Sequence, residues 1–335
     1  MKENSKRKKI TMIVCLTLLA VLLITIVAVA GYAFVQINGG LSDMLVCDEF
    51  FAEWQDDISD DAKINKVVTP GSHDAGSFDM MPLAKTQGHS IADQLKGGAR
   101  YFDLRVTNKG DDLVIFHGPI KGQKFSIVLD EIKAFTIAHP SEFLILDFQH
   151  LGDKVHQKTI DAITGTLNMQ KAMLKSVFGD VSKVTMGDIR AHGFNFMIVW
   201  SDDSQVASND FLYTRDKDLT SQYDSKFHKK KPAQLIAHFE TYFENHTRDD
   251  LFVLQSQRTA PTLLGKPAKL ELEFRPYINE FVSNLKTSKH LDEVNIIMRD
   301  FVVSDMQNVK LILQLNLVKG LVKADEIESF TAKTL

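Results

Sequence analysis

Four short segments of this chain gather the side chains that acid–base chemistry uses. They read Thr69-Pro70-Gly71-Ser72-His73-Asp74-Ala75-Gly76, Arg100-Tyr101-Phe102-Asp103-Leu104-Arg105, Phe116-His117-Gly118-Pro119 and Met298-Arg299-Asp300-Phe301. An imidazole titrates near neutral pH, so His73 and His117 can serve as base and acid. A carboxylate beside each would fix its tautomer and stabilise its protonated form, and Asp74, Asp103 and Asp300 stand in these segments. The guanidinium of Arg105 matches phosphate oxygens with a planar fork of donors. These are the parts of an intramolecular phosphoryl transfer. One imidazole deprotonates a neighbouring hydroxyl, the other protonates the leaving alcohol, and the guanidinium stabilises charge on the non-bridging oxygens.

Such a set needs elements that bring distant residues to one place. Short apolar runs at 65–69, 100–106, 113–117, 143–148, 194–200, 252–256 and 294–301 read as seven strands, with a probable eighth expected. Between them, 91–96, 127–138, 154–174, 232–247 and 270–285 carry apolar residues three and four apart, the helical period. Residues 309–321 read as a closing helix. Strands alternating with helices imply a parallel sheet with crossover helices, and the count suits a TIM-like (β/α)8 barrel. A doubly wound sheet is disfavoured because no GxGxxG follows the first strand. In a barrel the active site lies at the C-terminal ends of the strands, and each of the four chemical segments follows or ends a strand run.

The chain has 335 residues, 44% hydrophobic and 24% charged, with 8 prolines and 18 glycines, an ordinary globular composition. Lys2, Lys6, Arg7, Lys8 and Lys9 against Glu3 make a basic head, and no residue in 11–35 is charged. That run exceeds the roughly 20 residues a helix needs to cross a bilayer core. The basic flank should stay cytoplasmic and place the rest outside. Two readings stand: an uncleaved signal-anchor, or a signal peptide cut near Ala28-Val29-Ala30. The expected layout is a basic tail at 1–10, a membrane segment at 11–36, a lead-in at 37–60 with a joint at Asn38-Gly39-Gly40 and a short helix at 45–54, and a barrel at 61–325. Accordingly the protein is expected in the cell membrane with its catalytic domain outside, or secreted if cut. Of two cysteines, Cys15 lies in the apolar run and Cys47 is alone in the exported part, so no intradomain disulfide can form. The net charge of −4 includes the basic head. The remainder is acidic, which argues against nucleic acid. A monomer is expected.

The segments VVTPGSHDAGSF, QLKGGARYFDLRV, IFHGP, EFLILDFQH and NIIMRDFV resemble, in order and spacing, the X domain of phosphatidylinositol-specific phospholipases C. The resemblance spans about residues 60 to 305. It implies that His73 is the general base for the inositol 2-hydroxyl, oriented by Asp300, and that His117, supported by Asp74, is the general acid for the diacylglycerol alkoxide. Arg105 would contact the phosphate, with Asp103 completing the charge network. The products would be a cyclic inositol phosphate and diacylglycerol. In the calcium-dependent relatives an acidic residue stands at the position of Arg105 and an asparagine at that of Asp74, so the resemblance implies the metal-free bacterial type, with no cofactor.

The head-group pocket departs from the family. Gln149 stands where bacterial members have a lysine, and Ser256 and Arg258 fall where they have an aspartate and a tyrosine. Ser201 and Asp202 follow another strand run and are further candidates for head-group contact, against the plainer reading of a helix-capping turn. Arg258 has a surface ion pair as its rival reading. The loop Phe78-Asp79-Met80-Met81-Pro82-Leu83 and the run Lys226-Phe227-His228-Lys229-Lys230-Lys231 could meet a lipid surface. The rival functions are a metal-dependent glycerophosphodiester or sphingolipid phosphodiesterase, and a non-catalytic barrel that binds lipid or inositol phosphate.

Overall fold

The computed structural model describes residues 2–38, 51–260 and 265–335. It falls into two compact units, Met1–Gly40 and Leu41–Leu335. The first is built on one helix, Lys2–Asn38. Within it Thr11–Gly31 is a 21-residue apolar stretch. At 1.5 Å per residue it measures about 30 Å, the thickness of a bilayer's hydrocarbon core. It is therefore long and apolar enough to cross a membrane. Gly39, Gly40 and Cys47 lie outside the described residues, as does most of the helix expected at 45–54.

Along the second unit run β1 (Thr69–Ser72), β2 (Tyr101–Lys109), β3 (Asp112–His117), β4 (Ile120–Lys124), β5 (Leu144–Leu151), β6 (Phe196–Trp200), β7 (Leu212–Thr214), β8 (Leu219–Gln222), β9 (Leu251–Gln255) and β10 (Ile296–Arg299). Eight of them follow the order β7-β6-β5-β2-β1-β10-β9-β8, and every pairing in that path is parallel. The result is a nearly closed TIM-like barrel. Its seam lies between β7 and β8, which the four-residue helix Arg215–Asp218 connects. β6 and β9 are buried at every position, as expected of parallel strands covered by helices on one side and a filled barrel on the other. Helices Phe125–Ala138, Pro232–Glu244, Pro267–Asn284 and Met306–Val318 turn apolar stripes to the wall. Their ends lie within three residues of the sequence expectation, and Ile91–Lys96 coincides with it.

Three expectations need correction. The run at 113–117 is not a barrel wall. β3 pairs antiparallel with the far half of β2, and β4 with β3. This hairpin carries His117 back over the mouth, and β5 takes the wall position beside β2. The missing wall strands are β7 and β8, of three and four residues, too short to show a period. The helix expected over 154–174 is broken: His156–Thr166 ends at Leu167, which is extended, and the Asn168 side chain caps a separate turn at Met169–Ala172.

The packed unit also reaches past both expected borders of the barrel. Trp54 Nε1 donates to the Gly98 carbonyl at 3.0 Å, and the Gln55 amide bonds both the N–H and the C=O of Phe143, at 2.6 and 3.2 Å. At the other end Phe330, 1% exposed, joins the core. Arg100 pins the lead-in to the barrel base. Wholly buried, it bonds Glu142 at 2.6 Å and the carbonyls of Phe51 and Ala52 at 3.1 and 2.7 Å. Removing one partner of a buried pair leaves an uncompensated charge, worth about 3–5 kcal/mol. Glu142→Ala should lower the free energy of unfolding in a urea titration by an amount of that order, and an unchanged value would show that the pair is dispensable.

Candidate active site

β1 ends at Ser72, and the next two residues are His73 and Asp74. Asp74 takes φ 45°, the left-handed region that non-glycine residues rarely adopt. Its backbone N–H donates to Asp103 Oδ2 at 3.2 Å. Asp103 and Arg105 share one face of β2, and the pairing with β5 is irregular between them. Such irregularities re-aim side chains beside active sites. Arg105 bonds Asp103 twice, at 3.2 Å from Nε and 2.8 Å from Nη2. Its Nε also lies 2.6 Å from Asp74 Oδ1. Burial works against the guanidinium's charge, but Asp103 and Asp74 more than offset it and hold Arg105 cationic. Burial likewise pushes the Asp103 carboxyl up, and Arg105 pulls it below the usual range.

Two imidazoles face this charge cluster. His73 Nδ1 meets Asp300 Oδ1 at 2.6 Å, and Nε2 lies 3.2 Å from Arg105 Nη2. A guanidinium only donates, so neutral His73 carries its proton on Nδ1 and leaves Nε2 as a base. Burial lowers its affinity for a proton, but Asp74 and Asp300 overcome that and raise its pKa above the ordinary 6.5. His117 Nδ1 meets the Ala84 carbonyl at 2.9 Å, which places a proton there. Its Nε2 turns toward Asp74 Oδ2 at 3.5 Å, and His73 Nε2 reaches the same oxygen at 3.4 Å. Asp74 thus stands between the imidazoles, both oxygens buried and neither hydrogen-bonded.

His73, Asp74 and Asp103 could hold a metal ion, with ligand atoms within 4.8 Å of one another. The Arg105 guanidinium already contacts all three, so a fixed cation fills that position.

The structure brings His73, Asp74, Asp103, Arg105, His117 and Asp300 together. Gln149 joins them: with its amide nitrogen turned to Asp103 it lies 3.2 Å from both oxygens. The other head-group candidates make no direct bond to this cluster. Asp202 caps the helix Asp203–Ser208, accepting from the N–H groups of Ser204 and Gln205, and Ser201 is exposed beside it. Ser256 is buried, and its hydroxyl donates to the Met298 carbonyl at 2.9 Å. Arg258 bonds the Lys230 carbonyl and pairs with Glu273 at 3.2 Å. Of the rim loop, Met81 is 49% exposed while Met80 is buried. His228 in the basic run is buried, bonding the Gln257 carbonyl at 2.7 Å.

A second polar group adjoins the first, with Asp147 in register with Asp103 on the neighbouring strand. Asp147 accepts from Tyr101 Oη at 2.5 Å and from Arg215 Nε at 3.1 Å. Burial raises the Asp147 carboxyl, with Asp103 adding to the rise and Arg215 opposing it. Arg215 is the residue the sequence reading missed. It follows Thr214 at the end of β7, where the strand-end rule would have found it had β7 been visible.

The fold and site define a class: TIM-like parallel barrels with a polar cluster at the C-terminal strand ends. Within that class, residues 67–181 match the family model described as phosphatidylinositol-specific phospholipase C, X domain. A 1-phosphatidylinositol phosphodiesterase of Listeria monocytogenes is 25% identical over 291 residues, 79% of this chain and 84% of its own. One of Staphylococcus aureus is 30% identical over 103 residues, 29% of this chain and 33% of its own. The chain thus spans about a third of the length of that Staphylococcus relative. The human PI-PLC X domain-containing protein 2 is 40% identical over 87 residues, 24% of this chain and 28% of its own. The solved phosphatidylinositol-specific phospholipase C from Listeria monocytogenes shares the fold, with TM-score 0.57 and 23% identity, covering 79% of this chain and 98% of its own.

The His73–Asp300 contact makes a prediction. A base works unprotonated, so kcat/KM should rise with pH through a midpoint above 6.5. Asp300→Asn removes a cause of that elevation and should move the midpoint acidward while lowering kcat. A pH profile of the variant that overlays the wild type would exclude Asp300 as the orienting carboxylate.

Proposed function

We propose that this protein is a phosphatidylinositol-specific phospholipase C-type enzyme that cleaves a phosphatidylinositol-like phospholipid by intramolecular phosphoryl transfer, without a metal. The observation that carries the reading is the pair of imidazole Nε2 atoms 3.4 and 3.5 Å from one carboxylate oxygen, with Arg105 against the same carboxylate. His73 Nε2 takes the proton of the inositol 2-hydroxyl, and that oxygen attacks phosphorus. The bond from phosphorus to the diacylglycerol oxygen breaks, and His117 Nε2 delivers a proton to the leaving oxygen. Arg105 stabilises the non-bridging oxygens in the transition state. The products are diacylglycerol and a cyclic inositol phosphate. The Listeria and Staphylococcus relatives support the reading, because their names give 1-phosphatidylinositol as what they act on. Arg105 in the cation position disfavours the metal-dependent alternatives.

Arg215 is assigned to the head group. Its Nε is held by Asp147, and its outer nitrogens are the donors left for a polyol or phosphate. The helix at Thr11–Gly31 is assigned as a membrane anchor, with the barrel on the extracytoplasmic side.

Phosphorus NMR of products from several phosphodiesters, with and without chelator, tests the reaction: a cyclic phosphate from phosphatidylinositol that survives chelation is expected. Intact phosphatidylinositol beside another consumed diester would reject the substrate and keep the reaction type. His73→Ala and His117→Ala should each cut turnover by at least about 10²-fold, and near-normal rates would refute the role assigned. Arg215→Met should lower kcat/KM about tenfold or more, the scale of one charge-assisted hydrogen bond. An unchanged value would remove Arg215 from the head-group site.

A further inference from the structure

Residues 77–87 leave the barrel mouth after β1 and return beside it, and no step of the proposed reaction uses them. Their return limb touches the supports of both imidazoles. Gln87 Nε2 donates to the His73 carbonyl at 2.8 Å and to the Arg299 carbonyl at 3.0 Å, and Gln87 Oε1 accepts from Val302 N–H at 3.1 Å. The Thr86 carbonyl accepts from Phe301 N–H at 2.7 Å. The Ala84 carbonyl holds His117 Nδ1. The limb is itself locked, because Ser77 Oγ accepts from the N–H groups of Thr86 and Gln87 and bonds the Thr86 hydroxyl at 2.7 Å. Ser77, Thr86 and Gln87 are each at most 2% exposed.

The sheet alone does not fix His73 against Asp300. The β1–β10 register ends at Ser72↔Arg299, one residue short of both. Beyond it, His73 N–H reaches the Arg299 carbonyl, and the chain after Asp300 turns through Phe301 at φ 50°. A non-glycine residue keeps that conformation only where its surroundings over-determine it. Thr86 holds the Phe301 N–H, and Gln87 holds the peptide groups before and after.

We propose that Gln87 is a positioning residue of this site, and that the limb from Ala84 to Gln87 keeps the general base and the general acid in one register. The proposal rests on the reading of His73 and His117 as base and acid. One amide binds the backbone of the base, the residue before its orienting carboxylate and the turn after it. The same limb, three residues earlier, orients the acid.

The test uses the full chain in detergent micelles. Gln87→Met keeps length and volume and removes all three bonds. Misplacing a catalytic group by about 1 Å can lower a rate 10²-fold, so kcat should fall about 10- to 100-fold with KM within about twofold. The NMR titration of the His73 ring, which needs no turnover, should move acidward as Asp300 loses alignment. Gln87→Glu, protonated in this buried place and able to donate one bond, should recover part of both losses. If Gln87→Met does not fold, Thr86→Val removes the hydroxyl bonds and keeps the backbone bond to Phe301, and a smaller change in the same direction is expected. A folded variant with wild-type kcat and an unmoved His73 titration would overturn the proposal. Wild-type protein that cleaves no phosphodiester would sink the enzymatic reading, and the His73 titration would still decide whether Gln87 positions that ring.

Discussion

Two carboxylates with almost no access to water, Asp103 and Asp74, and the partly buried Arg105 between them constrain the whole mouth of the barrel. The side chains of Asp103 and Asp74 are at most 1% exposed. Burying two carboxylates is tolerable only beside a compensating cation, since the desolvation of each ion costs several kcal/mol. Arg105 is therefore held by both, with Nε 2.6 Å from Asp74 and Nη2 2.8 Å from Asp103. The irregular register of β2 against β5 serves this need, as does the left-handed turn at Asp74. Both are local departures from ideal geometry at the point where the charges must meet.

From that cluster the difference between the two histidines follows. Both imidazoles reach Asp74, but their far nitrogens meet unlike partners. His73 Nδ1 has a carboxylate at 2.6 Å, which draws the ring proton there and leaves the Nε2 lone pair toward the Arg105 guanidinium at 3.2 Å. His117 has a neutral carbonyl. The two imidazoles thus have like chemistry in unlike environments, and the barrel supports them differently. His73 follows a short wall strand, and His117 stands on a hairpin that β2 extends beyond the wall.

The chemistry was more legible in the sequence than the specificity. His73, Asp74, Asp103, Arg105, His117 and Asp300 sit at the ends of long apolar runs, so the strand-end rule found them together. The barrel was legible for the same reason, since its longer strands show continuous apolar stretches. β7 and β8 were invisible because three or four residues carry no period, and Arg215 was lost with them. Asp202, Ser256 and Arg258 are a different case. Position after a strand placed them near the mouth, and each also has a structural partner: the helix cap and the ion pair were open as rival readings for Asp202 and Arg258, while that of Ser256 was not. For Ser256 that partner, the Met298 carbonyl, comes from β10, 42 residues away. Gln87 was illegible on similar grounds: its partners are backbone groups of residues up to 215 positions distant.

The two halves of the barrel contribute unequal shares of the site. The segment matched as an X domain, residues 67–181, holds both imidazoles, the guanidinium and two of the three carboxylates. It lacks Asp300 and Arg215, which come from β10 and the seam beyond β7. A half-barrel with only the matched segment would leave His73 without its Asp300 partner. The backbone closes this gap through parallel pairing of β1 with β10, which sets strands 227 positions apart in register, Thr69 against Ile296. Chemistry written in one half thus becomes geometry only when the last strand returns to the first. The second polar group is tied to the same wall, because Tyr101, which bonds Asp147, shares β2 with Asp103 and Arg105.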